Sequence, residues 1–181
     1  MISKNNCLKI YSLAIIVLLL ASCGGSENNT PAVIVIDQKY EHNNSVGYLA
    51  PSVYYYMPQG QEFVPSKPYL VGVDLMFSSN SATSNTITVN IRKGNLQNPI
   101  LATSTMNVDA AKAWSHFVFS AINVVPGDTY IIEVTSDDAS AADALAWWGD
   151  DVEGGYPYGQ WINNGTVKSG TDMFFRTYAY Q

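Results

Sequence analysis

Histidine and cysteine are nearly absent from this chain. His42 and His116 are the only histidines, and neither sits in a zinc-binding or nucleophile motif. Cys7 and Cys23 are the only cysteines, both close to the N-terminus. The region beyond them has no disulfide and no thiolate metal site, so a packed core has to stabilise it. Basic residues are also few, nine Lys and Arg against fifteen acids. That balance excludes nucleic acid as a partner, since phosphates are neutralised by clustered Lys and Arg, and it disfavours docking on anionic lipid. Glycine-rich phosphate loops are missing. The longest apolar run, residues 10–20, rises only about 16 Å as a helix, roughly half a hydrocarbon core.

That short run has a setting. Lys4 and Lys9 precede it without an acid, and Leu20-Ala21-Ser22-Cys23 follows it. A basic start, a short apolar segment and small residues describe a secretory signal. The ending resembles the lipobox of bacterial lipoproteins, in which the cysteine is lipidated and becomes the new N-terminus. The resemblance implies an envelope protein held by lipid on Cys23. Two or more acyl chains make a stable anchor, because each buried methylene contributes roughly 0.8 kcal/mol. Residue 24 is Gly, not the Asp that holds some lipoproteins in the inner membrane, so the expected location is the outer membrane. Its periplasmic and surface faces remain alternatives. Removing residues 1–22 leaves seven basic residues against fifteen acids. Residues 23–31 then read as lipidated cysteine and flexible tether, and residues 32–181 as one domain.

Period-two alternation dominates that domain. Ile87, Val89 and Ile91 share one face of a run whose other face carries Thr86, Thr88, Asn90 and Arg92. Val71, Val73, Leu75 and Phe77 alternate in the same way, as do Phe117 with Phe119 and Tyr130, Ile132 and Val134. Half-buried antiparallel strands give this pattern. Ser78–Ser81, Lys93-Gly94-Asn95, Pro126-Gly127-Asp128 and Asn163-Asn164-Gly165 read as turns between them. The expectation is eight to ten short strands in an antiparallel all-β sandwich, most simply a jelly roll, with one short alanine-rich turn within residues 136–146. Val73, Leu75, Ile87, Val89, Ile91, Phe117, Phe119, Ile132, Val134 and Phe175 are the expected core.

Several segments resemble a family of secreted bacterial jelly-roll modules, found alone as lipoproteins or appended to larger surface proteins. They include Gln61-Glu62-Phe63-Val64-Pro65, Leu70 to Leu75, Val89 to Gly94, Pro126 to Tyr130, Trp148-Gly149 and Asp172 to Arg176. The resemblance implies the sandwich, with Trp148 as a core residue, and an architecture similar to carbohydrate-binding modules. It supplies no catalytic residues.

Residues 146–161 (AWWGDDVEGGYPYGQW) are the most unusual segment. Sugar rings stack their C–H faces on Trp and Tyr while carboxylates accept from their hydroxyls. The expected ligand site is therefore an exposed platform of Trp147, Tyr156, Tyr158 and Trp161, rimmed by Asp150 and Asp151. The alternative is that these rings simply pack. Adjacent strand residues diverge, which predicts Trp147 outward and Trp148 inward. Asp150, Asp151 and Glu153 also offer a structural calcium site, or else a solvated acidic loop. No catalytic residues are assigned. The sequence thus points to a membrane-tethered, non-enzymatic binding or adhesion module whose best-matched ligand is a glycan. The alternatives are an accessory envelope lipoprotein with a protein partner and, third, a secreted glycan hydrolase, which needs two carboxylates across a cleft.

Overall fold

A computed structural model describes residues 32–41, 48–79, 84–109, 111–151 and 155–181. Cys23 with its leader and tether, His42 and Glu153 lie outside the described residues. Eight strands of five residues or more carry the architecture: β1 (Ile34–Tyr40), β3 (Gln59–Phe63), β4 (Tyr69–Ser78), β5 (Asn85–Lys93), β6 (Ile100–Val108), β7 (Ala113–Asn123), β8 (Tyr130–Thr135) and β14 (Phe175–Tyr180). Shorter ones are β2 (Tyr48–Leu49), β9 (Ala146–Trp147), β10 (Gly149–Asp150), β11 (Trp161–Asn163), β12 (Thr166–Lys168) and β13 (Asp172–Met173).

One sheet has the order β1-β14-β4-β7, with β9 also on β4, and another the order β12-β11-β3-β8-β5-β6. The short strands β13, β10 and β2 form a third ribbon. Numbering only the eight long strands along the chain, the two sheets read 1-8-3-6 and 2-7-4-5. That is the order of a jelly roll, and every pairing is antiparallel.

The expected core is the observed one. All ten residues named for it are buried, none more than 6% exposed. The alternation holds because each long strand lays one face on the opposite sheet. Strand β8 departs from it. Ile131 and Glu133, expected on its outer face, are buried as well. On that face Ile131 is flanked in register by Glu62 of β3 and Arg92 of β5, and Glu133 by Gly60 and Asn90, with Asn90 and Arg92 reaching over to the carboxylate. Glu133 accepts from Asn90 Nδ2 and Arg92 Nε, both at 2.9 Å, and Thr103 donates to Asn90 Oδ1 at 2.8 Å. A buried carboxylate is tolerated because that chain of donors satisfies it.

Asn164 (φ 46°) and Gly165 (φ 73°) join β11 to β12. Two consecutive positive φ angles make the tight hairpin that matches strand twist, which is why Asn-Gly stands there. Residues 141–144 form turns, as expected of the alanine-rich segment, and the one described helix is instead α1 (Val53–Tyr56), a single turn in the tyrosine run.

Candidate functional site

The loop from Gly155 to Gln160 leads into β11, and two glycines set how it lies. A Cβ on Gly159 would stand 2.3 Å from the Glu62 carbonyl oxygen, and one on Gly155 would stand 2.4 Å from Asp172 Oδ2. Any larger residue would lift the loop off β3 and β13. Their lack of a side chain serves close packing on the domain.

Tyr156 is consequently drawn inward. Its N–H donates to Asp172 Oδ2 at 2.9 Å, its hydroxyl donates to Gln38 Oε1 at 3.0 Å and accepts from Val64 N–H at 3.2 Å. Its ring meets Phe175 edge-on at 5.0 Å. Burial pushes its phenol up to about 12. Tyr158, two residues on, points out and is 60% exposed. It leans on Tyr156 in a T-shaped contact with centroids 5.7 Å apart.

Two depressions flank the Tyr158 ring. The larger, about 480 Å³, includes Glu62, Tyr156, Gln160 and Asp172 in its lining. The other, about 290 Å³, is neutral and is bounded by Gln38, Val64, Pro65, Ser66, Pro126 and Gly127. Among the described residues, neither is lined by a Lys or Arg. A further groove of about 380 Å³ lies beyond Gln160, where Trp161 and Tyr56 meet edge-on at 6.0 Å. The Trp161 indole N–H is buried and meets no acceptor among the described residues.

Asp172 is only 4% exposed. Gln61 Nε2 donates to its Oδ1 at 2.9 Å, and Gln61 Oε1 in turn accepts from Met173 N–H at 2.7 Å. Burial first, and then the charges of Asp150 and Glu62, push its carboxyl up to about 6 from an ordinary 3.8, against the two donated hydrogen bonds. Burial also raises Glu62. Well below pH 3.8 Asp172 is protonated whether folded or unfolded, and it contributes nothing to the pH dependence. Between about pH 4 and 6 the unfolded chain ionises first, so stability falls as pH rises; above that the full cost, about 3 kcal/mol, is present. Chemical denaturation of wild type and Asp172→Asn is therefore expected to show the wild type gaining on the variant from pH 7.5 to pH 4.5. A difference that does not vary with pH would mean an ordinary carboxylate.

The exposed platform expected from the sequence is not formed. Trp147 is fully buried and Trp161 is 7% exposed, with Tyr156 and Asp150 buried beside them. Only Tyr158 and Asp151 reach the surface. Trp147 lies opposite Phe77 of β4, packs on its ring at 6.2 Å, and donates its indole N–H to the Phe174 carbonyl at 3.1 Å. Adjacent tryptophans do diverge, but in the opposite phase: Trp148 is the half-buried one. Asp150 accepts from the Tyr40 hydroxyl at 2.6 Å. With Asp150 buried and Asp151 exposed, the two do not share a rim. Among the described residues no three His, Cys, Asp or Glu side chains are grouped to hold a metal.

Glu62, Gln160 and Asp172 were missed as groove residues. Tyr156 and Tyr158, aromatics in a polar loop, were the groove residues legible in the sequence.

No family model matches the chain, and no curated protein does. Among solved structures it is similar to a carbohydrate-binding module from Clostridium stercorarium in complex with cellobiose. The identity is 10% and the TM-score 0.38, over 73% of this chain and 92% of that one.

Proposed function

We propose that this protein is a lipid-anchored, non-enzymatic module that binds a neutral glycan across the exposed ring of Tyr158. The observation that carries the reading is that ring, standing between two depressions and backed by Tyr156. A pyranose laid on it would place hydroxyls over Glu62 and Gln160 on one side and over the neutral wall of Val64, Pro65 and Pro126 on the other. The absence of a cation in either lining, with acids in one, favours uncharged sugars over uronates or sulfated chains. Asp172 does not suit acid–base catalysis: Gly155 covers it and both its oxygens accept hydrogen bonds.

A glycan array with the lipid-free chain from Gly24 would find the ligand, and titration would then compare variants. Tyr158→Ala is expected to weaken binding by about tenfold, the worth of one stacked ring, with an unchanged melting temperature. An unchanged affinity in that variant rules out the site. The protein-partner reading draws on a different face. Ile34, Ile36 and Val118 are all exposed on the β1-β14-β4-β7 sheet. Retention of no glycan by the folded wild type, with recovery of an envelope protein cross-linked through that sheet, would favour it.

A further inference from the structure

Lys112 precedes β7, and its ammonium rests on two aromatic rings. Its Nζ lies 3.5 Å from the ring centroid of Trp148 and 4.7 Å from that of Tyr48. The rings themselves meet edge to face, 6.0 Å apart at 76°. They come from β2 and from the link between β9 and β10, so three distant segments converge here.

The walls are fixed and the occupant is not. Trp148 donates its indole N–H to Ser78 Oγ at 2.8 Å and its backbone N–H to the Met76 carbonyl at 2.9 Å. Its own carbonyl accepts from Phe174 N–H at 2.8 Å. Tyr48 stands opposite Asp150 in the β2–β10 register and is braced edge-on by Phe174 at 6.0 Å. Lys112 is a long, exposed side chain with four rotatable bonds, and no ion pair with a carboxylate holds it among the described residues. Desolvation against the rings lowers its pKa.

A primary ammonium is a poor long-term tenant for such a site. It is compact and strongly hydrated, so seating it on the rings sacrifices more hydration than seating a quaternary cation does. A trimethylammonium group spreads the same charge over methyl groups, has no donor to satisfy, and makes apolar contact with both rings. The chain as a whole carries a net charge of −6, which draws cations toward it.

We propose that Trp148 and Tyr48 form a binding site for a quaternary ammonium group of the choline type, and that Lys112 occupies it as a removable plug. This site is separate from the Tyr158 grooves and stands or falls without them. Displacing the plug reduces the apparent affinity of the free protein by the fraction of molecules in which it is seated.

Choline chloride is the probe, titrated at constant ionic strength against sodium chloride while the Trp148 indole N–H resonance is followed by NMR. The native chain is expected to show a saturable shift of that resonance. Lys112→Ala is expected to tighten it by about fivefold or more, and ammonium chloride is expected to give none. Tyr48→Ala, at a partly exposed position, should remove the shift while the other three indole signals stay in place, which shows that the fold survives. No saturable shift in folded Lys112→Ala overturns the proposal, and so does equal binding by Tyr48→Ala. Sedimentation with phosphatidylcholine vesicles separates the sources. Co-sedimentation of Lys112→Ala identifies a lipid headgroup, and choline binding without it identifies a free ligand.

Discussion

Trp147→Ala is expected to lower the free energy of unfolding by about 3–5 kcal/mol, a large part of a domain's total. Trp148→Ala should cost only about 1–2 kcal/mol. The contrast follows from where the neighbouring indoles go. Trp147 is fully buried against Phe77, and its removal leaves a cavity between the sheets and takes away the hydrogen bond that its indole N–H donates to the Phe174 carbonyl. Trp148 is half-buried, so truncation there removes one hydrogen bond to Ser78 and the edge contact with Tyr48, with water able to fill the space. Urea unfolding of both variants measures this directly, provided the slope with denaturant is unchanged. A larger loss at Trp148 would mean that the phase of the two tryptophans is the reverse of the one described, and equal losses that the two rings are buried alike.

Cys23→Ala is expected to abolish lipid attachment entirely. Lipidation needs the thiol, and cleavage before residue 23 follows from it, so the variant should keep its leader and run as a larger precursor. Metabolic labelling with palmitate, together with the mass of the purified chain, checks both. Unchanged labelling, or normal processing of the variant, would remove the lipoprotein reading and leave the domain with an ordinary secretory leader. The domain itself should be indifferent: with no cysteine beyond residue 23, its stability rests on the core alone.

The core was legible because its signal is local. Ile87, Val89 and Ile91 repeat every two residues, and a strand with one dry face cannot be written otherwise. Turns were legible for a similar reason, since Asn164-Gly165 supplies a backbone conformation that few other pairs accept. The double burial of Ile131 and Glu133 was not, because it depends on β8 lying between two neighbours. The candidate site depends still more on distance along the chain. Asp172 meets Gln61 across 111 residues, and Lys112 reaches rings at Tyr48 and Trp148. Aromatic density in residues 146–161 marked an important segment but said nothing of which rings face the core. Glycine was no guide there: the same lack of a side chain serves a loop that opens and a loop pressed flat on a strand.

The pairing of β1 with β14 has a consequence for how such a chain reaches its folded state. The first strand of the domain hydrogen-bonds to the last, Ile34 opposite Tyr180, and β14 separates β1 from β4. Synthesis from the N-terminus therefore delivers β1 long before its partner exists. The opposite sheet, β3-β8-β5-β6, can assemble once β8 has emerged, whereas the sheet bearing β1 waits for the final strand. Until then the backbone N–H and C=O groups along that edge of β1 are unpaired, an open strand edge of the kind that recruits other extended segments.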